Sequence, residues 1–260
     1  MTSLLDRILT PGELSVVFQP ILEVRNGSRT LHALECLIRG PRGTNLEPAE
    51  ILLEYARRKR EECRVDRACM STAFAAARVL QPEARLCVNV HASTLSLDER
   101  LPNFIFEAAR TNWIDPSRLT VEIIEHLPAC EAAVFLRALD RLREMGIKIA
   151  LDDIGLGQSN YKMILDARPD YFKVDRYLVA GAHGDPRRQA VLESIAQLAH
   201  RLGARVVAEG VECSQDLATV LATGIDLIQG YLLSEARPLP EFAASPRVAG
   251  VCLRHLFTPA

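Results

Sequence analysis

The chain has 260 residues, of which 48% are hydrophobic, 25% charged and 5% aromatic. That composition belongs to a globular fold long enough to hide roughly three quarters of its unfolded surface, and it excludes a disordered segment, a collagen-like repeat and a miniature domain held by covalent staples. With 31 basic against 33 acidic residues, the net charge of -2 provides no broad attraction to a DNA or RNA polymer or to an anionic membrane, so any phosphate-bearing partner must be held locally.

Residues 1–7 carry no basic segment ahead of a long apolar run, and no apolar stretch approaches the ~18 residues of a membrane span. The 7 cysteines are odd in number and contain no C-x-x-C pair, so neither a disulfide framework nor a zinc cage is expected and a reducing cytoplasm fits.

In chain order, the apolar runs Leu14 to Leu22 and Leu31 to Ile38 read as strands, joined through Arg25-Asn26-Gly27-Ser28. Asn-Gly is a hairpin signal, so these two strands are expected to be antiparallel. A helix follows over Pro48 to Arg60; its run Arg57-Arg58-Lys59-Arg60-Glu61-Glu62 has the mixed charge of a solvated face. Cys63 and Cys69 read as packing residues, lacking a partner at zinc spacing. Strands are then expected at Arg85 to Val90, Leu119 to Ile124, Ile147 to Leu151, Tyr171 to Val174, Arg205 to Ala208 and Leu227 to Leu232. Helices are expected at Glu131 to Met145, Arg187 to Leu202 and Gln215 to Leu221, the last stopped by Gly224. Eight strands with intervening helices in this length predict an α/β fold, a (β/α)8 TIM-type barrel with an antiparallel first strand, rather than an open doubly wound sheet. A single domain over 1–260 is expected, with a core of about 14–240 and a C-terminal extension over 241–260. The apolar end of that extension, Val251 to Phe257, suits packing beneath the barrel or a dimer interface, and the sequence leaves both open.

Polar residues of one kind recur at the ends of these strands: Glu35, Asn89, Glu122, Asp152 with Asp153, Lys173 with Asp175, Glu209 and Gln229. In a (β/α)8 barrel the C-terminal strand ends open on one face, where active sites of this architecture lie. Burying lone carboxylates costs several kcal/mol each without compensation, so acids gathered there call for cations. An oxygen-rich set without His or Cys suits a hard divalent ion, Mg2+ or Mn2+, and the adjacent acids Asp152 and Asp153 suggest a pair of ions sharing a carboxylate. His91 and His126 read as solvated or hydrogen-bonded neighbours, and Gly155, Gly157 and Gly210 stand outside any nucleotide-cofactor fingerprint.

At these residues the sequence resembles the EAL-domain family of cyclic-di-GMP phosphodiesterases, from Phe18 to about Pro238. Phe18-Gln19-Pro20-Ile21 is similar to the family's opening strand, and Glu35-Cys36-Leu37-Ile38-Arg39 to its name-giving motif, with Cys for Ala. Val88-Asn89-Val90, Val121-Glu122-Ile123-Ile124-Glu125, Asp152-Asp153-Ile154-Gly155, Lys173-Val174-Asp175, Ala208-Glu209-Gly210-Val211-Glu212 and Gln229-Gly230-Tyr231 follow in order. The resemblance implies that Glu35, Asn89, Glu122 and Asp152 bind one metal, and that Asp152 and Asp153 hold a second. It implies Glu209 as a ligand of the second ion or a general base, and Lys173 as the group that orients the attacking water. Glu125 would brace the loop after Asp153, Glu212 would support the site, and Gln229 would help hold the metal and water cluster. Gln19, Leu37 and Arg39 would contact the dinucleotide, Arg39 suiting a phosphate; Tyr231 would either stack on a guanine or fill the rim. The implied reaction is hydrolysis of cyclic-di-GMP to linear pGpG by a homodimer. A binding module that senses the dinucleotide without hydrolysis is the alternative, and the retained acids favour the enzyme. Two departures stand out: Cys36 places an oxidisable thiol near the site, and the loop from Ile154 to Asn160 has Ile154 where active relatives carry Phe and Leu156 where they carry Thr or Ser.

Overall fold

In the computed structural model, which describes residues 4–81, 83–124, 132–155 and 161–257, Asn26 and Gly27 take left-handed φ values of 52° and 77°. They close β1 (Ser15–Arg25) onto β2 (Ser28–Arg39), antiparallel, with Arg25 opposite Ser28. This is the two-residue turn whose twist matches that of the strands it joins.

A short helix α1 (Leu4–Ile8) precedes the hairpin, and α2 (Ala49–Lys59) and α3 (Glu62–Ala77) follow it. Next come β3 (Leu86–His91), α4 (Ala92–Leu97), α5 (Leu101–Thr111), β4 (Leu119–Ile124), α6 (Ala132–Glu144), β5 (Lys148–Ile154) and α7 (Tyr161–Ala167). The second half runs β6 (Tyr171–Val174), α8 (Arg176–Val179), α9 (Pro186–Arg201), β7 (Arg205–Ala208), α10 (Ser214–Ala222), β8 (Leu227–Ile228) and α11 (Leu239–Ala244), ending in the small pair β9 (Arg247–Val248) and β10 (Val251–Cys252). Strands β1 to β8 form a closed barrel in sequence order. β1 is antiparallel to both β2 and β8, and every other neighbouring pair is parallel. The reversed first strand read from Asn26-Gly27 is therefore present, and the barrel closes around it. No described helix is long and apolar enough to cross a membrane.

Side chains alternate along each strand, so every strand contributes one set outward and one inward. Outward residues such as Phe18, Leu34, Val88, Val121, Leu151, Phe172 and Val206 are buried against the helices. Inward, Ile21, Ala33, Cys87, Val207 and Leu227 pack as a separate floor cluster with Tyr171 against it. One step further along the same inward faces stand Glu35, Asn89, Lys173, Glu209 and Gln229, each two residues beyond its floor partner. In the reversed β1 the order inverts, and Gln19 precedes Ile21.

One strand departs from the sequence reading, and one open alternative is resolved. β8 is 2 residues long rather than running to Leu232, because the chain turns at Gly230, with Leu233 and Ser234 donating to the Gly230 carbonyl. The extension packs beneath the floor: the Arg29 guanidinium at the start of β2 donates to the Ala249 carbonyl at 3.1 Å, and Gln81 N–H donates to Leu256 O at 2.7 Å. The basic run at the end of α2 is solvated as expected, with Arg57 and Arg58 both paired to Glu54.

The hairpin ladder slips by one residue, Ile21 facing Ala33 but Leu22 facing Leu31, and the bulged residue is His32. Its Nε2 lies 3.1 Å from the Tyr171 hydroxyl. Burial, then the charges of Arg205 and Arg85, lower its pKa to about 4. The unfolded chain binds that proton below the ordinary value of 6.5 and the folded chain does not, so stability rises with pH between about 4 and 6.5, by up to about 3 kcal/mol. In urea denaturation, the stability difference between about pH 4.5 and about pH 7 is expected to be smaller in His32→Asn than in the parent chain.

Candidate active site

The inward ring above the floor is set by register. Glu35 on β2 lies opposite Gln19 on β1 and Cys87 on β3, and Asn89 on β3 lies beside Glu122 on β4. Lys173, from β6, is 1% exposed and reaches the centre of this ring. Its Nζ stands 2.6 Å from Glu209 Oε1, 2.7 Å from Glu122 Oε2, 3.4 Å from Glu35 Oε1 and 3.5 Å from Asp152 Oδ1. One ammonium thus faces four carboxylates, which is too little positive charge for the set.

The titration behaviour follows from that shortage. Burial disfavours the Lys173 ammonium, but Asp152, Glu122, Glu209 and Glu35 together push its pKa well up, so it stays charged. Burial also opposes charge on Glu35, yet Lys173 and the amide donors Gln229 and Asn89 bring its pKa down. Glu122 is pushed up to about 8 by burial and the Glu35 charge. Glu209 is pushed well up by burial and the Asp152 and Glu35 charges, although Lys173 opposes this. Glu35 therefore keeps its charge, while Glu122 and Glu209 need either protons or further cations.

The amides complete the ring. Asn89 Nδ2 donates to Glu35 Oε1 at 3.2 Å, and Gln229 Nε2 donates to Glu35 Oε2 at 2.6 Å and Gln19 Oε1 at 3.0 Å. Gln19 in turn donates to the Ser234 carbonyl at 3.1 Å. Among the described residues, the buried oxygens Asn89 Oδ1 and Gln229 Oε1 have no hydrogen-bond partner. Two orphaned carbonyl oxygens beside uncompensated carboxylates fit hard divalent cations, which is the donor set expected from the sequence.

Asp153 stands next to this group, exposed, at a left-handed φ of 54°, its N–H donating to Asp152 Oδ1 at 3.0 Å. Partial desolvation, then the charges of Asp152 and Asp175, raise its carboxyl pKa to about 6. Aspartate is among the few side chains that adopt this left-handed conformation at modest cost. Nearby, Gly230 admits no side chain, since a Cβ there would lie 2.2 Å from the Val211 carbonyl oxygen.

The mouth opens into a depression of about 830 Å³ lined by Gln19, Glu35, Leu37, Asp152, Lys173, Glu209, Glu212, Gln229 and Tyr231. Of the predicted contact residues, Tyr231 is exposed at the rim, and Arg39 ends β2 with its guanidinium on the Ile38 carbonyl at 2.9 Å rather than in the depression. Glu212 is held at the rim by Arg176 at 3.0 Å. Arg176 and Glu50 also line the mouth and were missed by sequence reasoning; Arg176, directly after Lys173-Val174-Asp175, had a positional signal. Asp175 caps α8, accepting from Tyr177 N–H at 2.6 Å. Cys36 is buried on the outward face, where burial pushes its thiol well up, so the thiol is shielded from oxidation. His91 is buried against Asp66, with Nδ1 2.7 Å from the carboxylate. Glu125, His126 and the loop positions Leu156, Gly157, Gln158, Ser159 and Asn160 lie outside the described residues.

A family model described as EAL domain matches residues 2–236. A cyclic di-GMP phosphodiesterase of Pseudomonas aeruginosa is 37% identical over 160 residues, covering 60% of this chain and 26% of that protein. A second from the same organism, the cyclic di-GMP phosphodiesterase NbdA, is 30% identical over 250 residues, covering 91% of this chain and 30% of that protein. The chain thus spans between about a quarter and a third of the length of these curated relatives. Among solved structures, the manganese and cy-diGMP complex of Klebsiella pneumoniae BlrP1 at pH 6 superposes with a TM-score of 0.77 at 28% identity, covering 88% of this chain and 57% of that one.

Removing the central ammonium should expose the charge imbalance. Lys173→Met is expected to cost about 3–5 kcal/mol at neutral pH in metal-free buffer, the usual penalty for breaking a buried ion pair. Without Lys173 the acids take up protons more readily in the fold than in the unfolded chain, so the loss should shrink as pH falls. Denaturation with and without Mn2+ checks this, the ion restoring part of the loss.

Proposed function

The chain belongs to the EAL domain family, and on that footing we propose that it hydrolyses cyclic-di-GMP to linear pGpG with Mg2+ or Mn2+, two ions acting together, in the cytoplasm and as a homodimer. The observation that carries the reading is the buried ring in which Lys173 meets Glu35, Glu122, Asp152 and Glu209 beneath an open mouth.

Glu35, Asn89, Glu122 and Asp152 would hold one ion, and Asp152 and Asp153 the second, with Glu209 either a further ligand of that ion or the general base. Bound there, the ions supply a hydroxide-like nucleophile at neutral pH and neutralise the phosphodiester. Lys173 Nζ donates to the attacking water and fixes where its lone pair points, while Glu209, 2.6 Å away, takes the water's proton. Burial and the neighbouring acids raise the Glu209 pKa without metal; cations at the mouth would draw it down and leave a carboxylate able to accept the proton. In-line attack breaks one phosphodiester of the ring and leaves the linear dinucleotide. Gln229 and Gln19, tied to each other and to Glu35, keep the floor of the substrate depression rigid. Leu37 and Tyr231 offer apolar and aromatic surface to a guanine at the rim, and Arg39 would have to leave the Ile38 carbonyl to offer a phosphate its two parallel donors. Glu212 supports the rim through Arg176, and the role of bracing the loop after Asp153 is assigned to Glu125.

The described cysteines are all free thiols, which supports a reducing compartment. Tyr161 and Leu165 on α7, exposed at 75% and 65%, offer the apolar surface a homodimer would cover.

Purified chain incubated with cyclic-di-GMP and Mg2+ or Mn2+ is expected to release pGpG, and Glu209→Gln to lower kcat by about 10²–10⁴-fold, the usual worth of a positioned base. Tight, saturable binding without product in the parent chain would instead make it a receptor for the dinucleotide.

A further inference from the structure

Away from the mouth, three different ligand-type side chains meet where the loop after α8 touches the start of α10. His183 sits in the short 3-10 turn Ala182–Gly184, Cys213 is the residue preceding α10, and Asp216 lies in the first turn of that helix. The His183 Nδ1, the Cys213 Sγ and a carboxylate oxygen of Asp216 all lie within 4.8 Å of one another. We propose that His183, Cys213 and Asp216 form a second metal site, for a single borderline dication of the Zn2+ or Co2+ class, distinct from the oxygen-rich mouth.

The hydrogen bonds show which groups such an ion would replace. Asp216 is 5% exposed. Its Oδ1 accepts from His183 N–H at 3.1 Å and lies 2.8 Å from His183 Nδ1; its Oδ2 accepts from Gly181 N–H at 3.0 Å and from the Cys213 thiol at 3.2 Å. The backbone donors Gly181 and His183 already hold the loop onto the carboxylate. The thiol and imidazole add a sulfur and a nitrogen to the same oxygens, which makes the mixed set that structural and catalytic zinc sites draw on.

The charges and protons balance. The dication displaces the thiol proton to solvent and binds thiolate and carboxylate, giving a neutral unit. The imidazole binds through Nδ1 as the neutral tautomer, its proton carried on Nε2. The His183 side chain is 47% exposed, so an ion has a way in and a water can take the fourth position. Such an ion needs bonds of about 2.3 Å to sulfur and about 2.0–2.2 Å to nitrogen and oxygen.

Ligand softness separates the two sites. Carboxylates and amide oxygens at the mouth select Mg2+, Mn2+ or Ca2+, whereas thiolate with imidazole selects Zn2+ and its neighbours. An ion at His183, Cys213 and Asp216 would clamp the turn after α8 to the segment that leads directly from Glu209 and Glu212 into α10.

Cobalt spectroscopy tests this without any assay of turnover. Reduced, metal-free chain in excess Mg2+, titrated with Co2+, is expected to develop the near-ultraviolet sulfur-to-cobalt charge-transfer band and the visible bands of a tetrahedral ion at one equivalent, both erased by Zn2+. Cys213→Ser is expected to abolish the charge-transfer band. That variant keeps an N-cap oxygen where the sulfur now accepts from Asp216 N–H at 3.4 Å, so α10 retains its start. His183→Ala, on an exposed turn, is expected to weaken Co2+ binding by at least about tenfold. Absence of the band in the parent chain overturns the proposal, as does a band of full intensity in Cys213→Ser, which then belongs to another cysteine. Should Cys213→Ser not fold, an unchanged cobalt affinity in His183→Ala overturns it.

Discussion

The mouth of the barrel is organised by one ammonium. Lys173 lies buried among Glu35, Glu122, Asp152 and Glu209, and the surrounding structure can be understood as what it takes to keep that group charged and in place. The floor cluster of Ile21, Ala33, Cys87, Val207 and Leu227 excludes water beneath it, which strengthens every electrostatic contact above. Gln229 and Asn89 spend amide protons on Glu35, leaving their buried carbonyl oxygens without a hydrogen-bond partner. A lone lysine in such surroundings would ordinarily lose its proton, and a lone acid would ordinarily keep one. Here the lysine stays charged because the acids outnumber it, and the excess of acid leaves negative charge that one ammonium does not neutralise.

This arrangement sacrifices stability for chemistry. A well-packed apolar interior of the same volume would be at least as stable as a buried set of ions, which is the general result for buried ion pairs. The left-handed Asp153 and the tight approach at Gly230 are further local costs, and both sit beside the mouth. The outward face bears the compensating load: Phe18, Phe74, Phe135 and Phe172 are almost fully buried between sheet and helices. Function is thereby confined to one layer of inward side chains, and the rest of the barrel is free to be ordinary.

Much of this was legible in the sequence because a strand has a period of two. Once Ala33 or Cys87 is assigned to the interior, Glu35 and Asn89 must share that interior one step higher, and the reversed strand announced by Asn26-Gly27 puts Gln19 in the same layer. What local pattern does not encode is the turn chemistry that shortens β8 at Gly230, which depends on the close passage of Val211 from a different connection. Nor does it encode that Arg39 folds back onto its own strand while Arg176 reaches the rim. The meeting of His183 with Cys213 and Asp216 joins residues some thirty positions apart, and no spacing rule would have joined them.

The reversal of β1 also sets where the two ends of the chain emerge. In an all-parallel barrel the first strand begins at the floor, but here it descends from the mouth, so the residues before Ser15 lie on the active face: Arg7 and Ile8 of α1 share a depression with Pro41, Thr44 and Leu46 of the loop leaving β2. The opposite end, with Ala249 held by Arg29, lies beneath the floor. The two ends therefore leave along opposite poles of the barrel axis. The described residues before β1 thus share the pole of the acid ring, and those after α11 pack at the other.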